Sequence, residues 1–213
     1  MTPYPAPPVA ARVLRVVVAL AVVAAVVATV VDISSRTTLQ FFNFFGFFTV
    51  QSNLLLAAVY LVITPAARPR SARAAELLSL VRASVATYIV IVGVVYGLLL
   101  APLGEAGGVP VPWANTVLHI VTPVYGLLDW IVFRDRSPLA ARRVWVVLLY
   151  PLVWLVVVLV RGATDGWVPY PFLDPANGYG SVAVVCVGIL LALLVVGSLV
   201  FAVSRSHPAT PSH

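Results

Sequence analysis

The chain has 213 residues, of which 62% are hydrophobic and 9% are charged. About a quarter of the residues of a soluble domain are charged, and disordered chains are more polar still, so the composition excludes both classes. A single cysteine, Cys186, excludes a disulfide scaffold. The net charge of +6 and the pI of about 10.0 would suit a nucleic-acid partner, but the arginines lie between apolar stretches and form no basic stripe. An integral membrane protein remains.

Six apolar stretches have the roughly 20 residues that a helix needs to cross a bilayer. Valine, leucine and alanine dominate them, and none shows the period of two that a membrane β-barrel requires. The sequence therefore predicts an all-α integral membrane protein with a six-helix transmembrane bundle. The predicted spans are Val9–Val31, Phe42–Thr64, Ser79–Ala101, Asn115–Phe133, Arg143–Val160 and Gly180–Val203.

The arginines predict the orientation of the bundle. Eleven of the thirteen lie in or beside the N-terminal flank, the second and fourth connections and the C-terminal tail, and only Arg36 and Arg161 lie on the other side. Positive residues accumulate in cytoplasmic segments, so we expect both termini in the cytoplasm and, in a bacterium, a multi-pass protein of the cytoplasmic membrane. The first span is longer than the apolar core of a signal peptide and is expected to be retained. Residues 9–203 form one predicted domain between disordered tails at 1–8 and 204–213.

Span two carries a cluster of polar side chains in an otherwise apolar helix. Thr49, Ser52 and Asn53 follow the i, i+3, i+4 spacing that places them on one helix face, whereas Gln51 points elsewhere. An unpaired polar group in the hydrocarbon layer is costly, so this face either packs against another helix or serves a function. The spacing alone favours packing.

Span four contains the only histidine of any predicted span, His119, on one face with Asn115 and Thr122. The simplest interpretation is a buried neutral imidazole that bonds to another helix. Histidine is also the side chain best suited to proton transfer near neutral pH. A single intramembrane histidine excludes haem ligation by paired histidines, and the few scattered acids argue against a metal site. We therefore expect no cofactor and no metal.

The two polar faces are predicted at similar depth. If both spans begin at the outer side, Thr49 lies roughly 10 Å and His119 roughly 6 Å below the outer ends of their helices. Threonine is a poor nucleophile unless a base removes its proton, so the pair is a candidate for an activated hydroxyl. Asp129 lies about 15 Å from His119 along the helix and is expected to pair with Arg134 or with an arginine at another helix end.

The last outer loop is rich in aromatic residues. Trp167 and Tyr170 are typical of the headgroup level, so they are expected to anchor the loop at the interface or to cover the mouth of a cavity. Arg161 and Arg36 are the two outer arginines, and either could hold a lipid carboxylate. These four residues are the candidate substrate-binding residues.

Three short segments occur along the chain in a characteristic order. They are Phe47-Phe48-Thr49 in span two, Asn115-x-x-x-His119 in span four, and Gly166-Trp167-x-x-Tyr170-Pro171-Phe172-Leu173 before span six. Together they resemble the androgen-induced and androgen-dependent membrane hydrolases and their bacterial relatives, over nearly the whole chain. The resemblance implies a threonine hydrolase in which Thr49 is the nucleophile and His119 the catalytic histidine. The animal members cleave fatty acid esters of hydroxy fatty acids within the membrane.

The resulting hypothesis is an intramembrane threonine hydrolase that cleaves a lipid ester without a cofactor. His119 would take the proton of Thr49, and Asn53 or Ser52 would stabilise the oxyanion. Asn115 would either orient His119 or cap the start of its helix. The expected partner is a membrane lipid or lipid ester, with no nucleic acid and no metal, and the sequence does not indicate an oligomeric state.

Three other functions remain open at this point. A non-catalytic lipid-binding or regulatory membrane protein would use the polar cluster to hold a headgroup. A small-solute transporter usually shows inverted repeats, and the sequence contains no convincing repeat. An intramembrane serine protease ranks lowest, because the sequence lacks a Gly-x-Ser-x-Gly elbow.

Overall fold

The computed structural model of the protein describes residues 6–63, 69 and 71–206. Within these residues every regular element is helical, and no strand occurs. The α-helices, in chain order, are α1 (Val9–Arg36), α2 (Phe41–Phe44), α3 (Phe48–Ala58), α4 (Ala72–Val95), α5 (Pro112–Thr116), α6 (Thr122–Val132), α7 (Leu149–Thr164) and α8 (Tyr179–Arg205). π-Helical turns follow α3 (Val59–Ile63), α4 (Tyr96–Leu100) and α5 (Val117–Val121), and 3₁₀ helices lie at Ala101–Gly107, Ala141–Leu148, Pro171–Leu173 and Pro175–Asn177.

Four helical segments of the described chain are long and apolar enough to cross a membrane. They are Val9–Arg36, Ala72–Gly104, Ala141–Thr164 and Tyr179–Arg205, and Phe48–Leu61 is a shorter apolar helix. Many valine and leucine side chains on these helices are exposed. So large an apolar surface is not tolerated in water. The protein is therefore all-helical and membrane-embedded.

The two predicted spans that carry candidate catalytic residues are irregular helices. Span two is divided by a break between α2 and α3, and span four contains the π-helical turn between α5 and α6. Thr49 is the second residue after the break, and His119 lies inside the π-helical turn. Irregular helical geometry often marks a functional site.

The ends of the predicted domain are only partly described. Residues 1–5 and 207–213 of the predicted tails lie outside the described residues, as does Thr64, the predicted end of span two. Helix α8 continues to Arg205, beyond the predicted domain end at residue 203. Ser204 is buried and accepts a hydrogen bond from the backbone N–H of Leu139 at 3.0 Å. The first residues of the predicted C-terminal tail are therefore an ordered part of the last helix.

Helix α1 is held in the bundle by a face of small residues. Small side chains let the backbones of membrane helices approach closely, and α1 packs against α3 and α5. The buried residues recur at helical spacing and are Ala11, Arg15, Val18, Ala19, Val22, Ala25, Val26 and Thr29. This face positions α1 beside the two helices that carry the candidate site.

Side chains from α3 and α7 stabilise the break between α2 and α3. Gln51 Nε2 donates to the carbonyl oxygen of Phe45 at 2.8 Å, and Trp154 Nε1 donates to that of Gly46 at 2.8 Å. Tyr150 Oη donates in turn to Gln51 Oε1. Irregular backbone at membrane depth persists only where protein groups satisfy it. Gln51, which lies off the polar face of its helix, therefore stabilises the break between α2 and α3 by satisfying a freed carbonyl.

Replacement of Gly46 by alanine is expected to destabilise the fold. A Cβ at this position would lie 2.5 Å from Cη2 of Trp167 and 2.7 Å from the carbonyl oxygen of Phe42. Overpacking of this kind typically costs about 1–3 kcal/mol, and thermal unfolding in detergent measures the loss. Gly188→Ala is the matched control, because a Cβ at Gly188 meets no atom within 4 Å. Equal unfolding temperatures for the two variants would contradict the close packing at Gly46.

A buried cluster of ion pairs joins α1, α4, α6 and the segment after α6. Arg15 is 0% exposed. Its Nε lies 2.7 Å from Asp129 Oδ1, and its Nη1 lies 2.7 Å from Asp135 Oδ2. Arg82 Nη1 lies 3.1 Å from the same Asp135 oxygen. The two arginines and two aspartates balance each other's charge, and each depends on the others because a buried charge without a counter-charge is strongly unfavourable.

The cluster decides between the two partners expected for Asp129. Asp129 pairs with Arg15 of another helix, and no ion pair to Arg134 occurs in the part of the chain that the structure describes. The neighbouring Asp135 is held in its charged form. Burial alone would raise the pKa of Asp135, but hydrogen bonds and charges from Arg15 and Arg82 outweigh burial and hold that pKa below its ordinary value.

Candidate active site around Thr49

Thr49 lies in the first turn of α3, and its side chain is 6% exposed. Its backbone N–H donates to Tyr170 Oη at 3.3 Å, and its Oγ1 lies 3.5 Å from the same oxygen. The amide N–H groups of a first helical turn have no acceptor within the helix. The hydroxyl of Thr49 is therefore at the positive end of the α3 dipole.

Asn53 connects Thr49 with the turn that carries His119. Its Nδ2 donates to the carbonyl oxygen of Thr49 at 2.9 Å and to that of Leu118 at 3.1 Å, and its Oδ1 accepts from Thr122 Oγ1 at 2.7 Å. Helix α3 is thus in direct contact with the helix of His119. Both amide hydrogens of Asn53 are engaged. Asn53 is a bridge in this structure, and it has no hydrogen left to donate to an oxyanion.

A proline sets the local geometry of His119. Pro123 has no N–H to offer the carbonyl oxygen of His119 one turn earlier. The helix passes through the π-helical turn at this point, in which the N–H of Thr122 donates to the carbonyl oxygen of Val117. The imidazole of His119 is buried and stacks on the ring of Tyr96, with 4.3 Å between centroids and 25° between planes.

Asn115 supports His119 in two ways. Its carbonyl oxygen lies 3.1 Å from Nδ1 of His119, and because a carbonyl only accepts, Nδ1 carries the proton and Nε2 keeps its lone pair. The side chain of Asn115 donates to Tyr96 Oη at 2.7 Å and accepts from the N–H of Val109 at 3.1 Å. Asn115 therefore orients the imidazole with its backbone and the stacked tyrosine with its side chain.

The structure brings Thr49 and His119 into neighbouring turns but leaves their reactive atoms without a mutual hydrogen bond. Among the residues described, Oγ1 of Thr49 contacts Tyr170, and the ring of His119 bonds only to Asn115. Ser52 is 0% exposed, and its Oγ has no hydrogen-bond partner in that part of the chain. Ser52 is the second hydroxyl, besides Thr49, on the polar face that the sequence predicts for span two.

An apolar cavity opens beside Thr49. Its empty volume, including its mouth, is about 630 Å³. The walls come from α3, α4, α7, α8 and the loop before α8, and they include Val92, Val95, Leu155, Phe172, Ile189 and Leu193. Among the described lining residues, Thr49 and Tyr170 supply the only side-chain oxygens. A molecule in this cavity would meet mostly hydrocarbon, and the two hydroxyls are the side-chain oxygens it would find there.

The loop between α7 and α8 is fastened to α2 by Arg161. Its guanidinium carbon lies 4.2 Å from the centroid of a Trp167 ring, and its Nη2 lies 2.7 Å from Asp165 Oδ2 and 2.8 Å from Asn43 Oδ1. The backbone N–H of Trp167 and the Arg161 guanidinium hold the pKa of Asp165 below its ordinary value. Arg161 thus already has a counter-charge and a packing role.

The other three candidate substrate-binding residues are placed differently. Arg36 is 69% exposed at its side chain and pairs with Asp32 of the same helix at 2.6 Å. Trp167 packs over Gly46 and so covers the break. Tyr170 contacts Thr49 directly. Of the four, Tyr170 alone lines the cavity beside Thr49 within the described residues.

No local sequence pattern predicts the contacts of Tyr96, Arg82, Arg15 and Asp135. Their partners are distant in the chain, and the one local signal is a charged residue beside or within an apolar span. In the described ranges, no three side chains of His, Cys, Asp or Glu cluster as a metal site would need.

The chain matches no protein-family model, and no curated protein or solved structure is detectably similar to it.

Proposed function

We propose that the protein is an intramembrane hydrolase of lipid esters, with Thr49 as the nucleophile and His119 as the base. The observation that carries the proposal is the position of Thr49. Its hydroxyl lies in the first turn of a helix and in the wall of an apolar cavity. The amide group of Asn53 donates both to the carbonyl oxygen of Thr49 and to that of Leu118, the residue before His119. The resemblance to the androgen-induced hydrolases supports the same pair.

The surroundings of both residues favour nucleophilic attack. The positive end of α3 stabilises negative charge as it develops on Oγ1 of Thr49. Nε2 of His119 is the free base of the imidazole, because Nδ1 donates to Asn115. His119 accepts the threonine proton directly or through one water molecule, as Oγ1 attacks the ester carbonyl carbon. It then protonates the leaving alkoxide and activates the water that releases the acyl group from Thr49.

The cavity supports an acyl chain as the bound part of the substrate. Its described lining is hydrocarbon apart from the sulfur of Cys186, the indole nitrogen of Trp154 and the two hydroxyls, and the indole N–H already donates to Gly46. Burial of methylene groups contributes about 0.8 kcal/mol each. An ester whose acyl chain fills this cavity would therefore hold its carbonyl beside Thr49.

We further propose that the chain crosses the membrane six times with both termini in the cytoplasm. Arg15 lies near the start of α1, and the paired Asp129 lies near the end of α6, ten residues beyond His119. The arginine-rich end is the cytoplasmic end under the positive-inside rule. The site at Thr49 then lies in the outer half of the bilayer, where a lipid ester can enter from the outer leaflet.

Labelling with a fluorophosphonate probe tests the nucleophile. We expect purified, detergent-solubilised protein to be modified at Thr49, as mapped by peptide mass spectrometry, and to hydrolyse p-nitrophenyl octanoate. Thr49→Ala should lose both properties, and Thr49→Ser should keep them. Thr29→Ala is the matched control, because Thr29 is a buried threonine of α1 whose hydroxyl donates to Ala25 of its own helix. Labelling that persists in folded Thr49→Ala would contradict the assignment.

One observation favours a second candidate, a lipid-binding membrane protein without catalysis. The hydroxyl of Thr49 contacts Tyr170 and does not contact His119. In that case the folded parent shows neither labelling nor turnover, and a fluorescent fatty acid binds equally to the parent and to Thr49→Ala. Filling the cavity with Ile189→Trp would abolish that binding. Turnover by the parent that depends on Thr49 would exclude this candidate.

A further inference from the structure

Among the tyrosines that the structure describes, Tyr170 is the buried tyrosine that lies in a loop. It belongs to the loop between α7 and α8, yet its side chain is only 8% exposed. Its hydroxyl reaches the cavity wall beside Thr49, where it meets both the N–H and the Oγ1 of that residue. Within the described part of the chain, a loop residue is therefore the hydrogen-bond partner of the hydroxyl of Thr49.

Aromatic contacts hold the ring of Tyr170 in one orientation. Phe172 stacks on it with 5.2 Å between centroids and 9° between planes, Phe47 meets it edge-on at 5.6 Å, and Trp154 lies at 6.0 Å. Stacked and edge-to-face pairs are the preferred aromatic geometries, and each contributes about 0.5–1.5 kcal/mol beyond the area it buries. The hydroxyl is therefore directed at Thr49 before any substrate binds, which is the preorganisation that transition-state stabilisation requires.

We propose that Tyr170 is a catalytic residue whose hydroxyl donates a hydrogen bond to the oxyanion formed when Thr49 attacks an ester. The proposal rests on the proposed hydrolase function. When Oγ1 bonds to the carbonyl carbon, the electron pair of the C=O double bond moves to the carbonyl oxygen, and the proton of Thr49 passes to His119. The new oxyanion and Oγ1 are attached to the same carbon. A donor beside Oγ1 is therefore beside the oxyanion as well.

The surroundings suit Tyr170 for donation. Burial raises the pKa of Tyr170, so the phenol keeps its proton at neutral pH. Its oxygen accepts a hydrogen bond from the N–H of Thr49 at 3.3 Å, and an accepted hydrogen bond strengthens the bond that the same hydroxyl donates. When the tetrahedral intermediate collapses, the electron pair returns to the carbonyl, the alkoxide leaves with the proton from His119, and Tyr170 is unchanged.

Tyr170 also replaces the donor expected from the sequence. The sequence predicts Asn53 or Ser52 as the donor. Both amide hydrogens of Asn53 are bound to backbone carbonyls of the bundle, and Ser52 is absent from the described lining of the cavity. Tyr170 is the hydroxyl that both lines the cavity and touches Thr49.

The test is Tyr170→Phe in the purified full chain. Two quantities are measured: the rate constant for fluorophosphonate modification of Thr49, and kcat and KM for p-nitrophenyl octanoate. We expect kcat and the labelling rate to fall by about 10²–10³-fold, the loss typical for one oxyanion donor. KM should change by less than about threefold, because the apolar cavity beside Thr49 is intact. Tyr88→Phe is the matched control, since Tyr88 is a buried tyrosine that packs on Phe48 and does not line the cavity.

The outcomes separate this inference from the function on which it rests. A parent protein that neither labels at Thr49 nor turns over the ester overturns the hydrolase and the donor together. A parent that does both, with Tyr170→Phe equally active or faster, overturns the donor alone. A faster variant would also identify the Tyr170 hydroxyl as an obstruction in front of Thr49. A loss of kcat in Tyr170→Phe but not in Tyr88→Phe, at equal unfolding temperatures, supports the donor.

Discussion

Replacing Arg15 by leucine is expected to lower the free energy of unfolding by about 3–5 kcal/mol, the range found when one partner of a buried ion pair is removed. Arg15 is fully buried and bonds to Asp129 and Asp135 through three nitrogens. Leucine in its place would leave two carboxylates beside the single guanidinium of Arg82. Thermal or denaturant unfolding of the purified protein in detergent measures the loss.

The control for Arg15→Leu lies one helical turn earlier. Arg12 is an exposed arginine of the same helix, and its Nε donates to the carbonyl oxygen of Pro7, so Arg12→Leu should change stability by less than about 0.5 kcal/mol. Adding Asp135→Asn to Arg15→Leu should restore part of the loss, because one guanidinium then faces one carboxylate. Equal unfolding of the two single variants would contradict a stabilising role for the cluster.

Replacing His119 by glutamine is expected to lower kcat for the octanoyl ester by about 10²–10⁴-fold, the usual contribution of a general base. Glutamine keeps a polar side chain of similar reach but cannot accept a proton near neutral pH. The rate of Thr49 labelling should fall in parallel, because the same proton leaves Oγ1 in both reactions. The measurement is the pair of rate constants in the parent and in His119→Gln, at matched unfolding temperature.

Thr116→Val is the control for His119→Gln, because it changes the same predicted span without removing a base. Thr116 is exposed, and its hydroxyl donates to the carbonyl oxygen of Pro112 in its own helix. Thr116→Val should therefore keep both rate constants near those of the parent. If His119→Gln also keeps them, His119 is only a buried imidazole of the packing, and another group must accept the proton of Thr49.

The class of the protein was predictable because it depends on composition summed over long segments. A chain with 62% hydrophobic residues and 9% charged residues cannot cover a water-facing surface, and the all-helical, membrane-embedded fold confirms this part of the prediction. The six crossings and the cytoplasmic termini stay predictions, since they rest on the arginine distribution and not on helix geometry.

Part of the site was also predictable, because helical spacing is a local property. The shared face of Asn53 and Thr49, and that of His119 and Thr122, follow from positions three and four residues apart. The bonds from Asn53 to Leu118 and from Thr122 to Asn53 are those that such faces make when two helices meet. The catalytic roles of Thr49 and His119 stay predictions.

The break before α3 was not predictable, because its cause is spread over the fold. Gly46 alone is compatible with a continuous helix. The break exists because Gln51 and Trp154 satisfy the freed carbonyls and because Trp167 occupies the space beside Gly46. Because of the break, Thr49 lies at the start of a helix and not inside a continuous predicted span.

Sequence by itself determined that this protein lies in a membrane, that it is helical, and on which helix faces its polar residues lie. Each of these follows from composition or from neighbours within one helical turn. Tertiary structure alone decided which faces meet. It paired Arg15 with aspartates more than a hundred positions away and brought Tyr170 to Thr49 across a similar distance in the chain. Contacts of this kind depend on the packing of whole helices, and no pattern within a single helix records them.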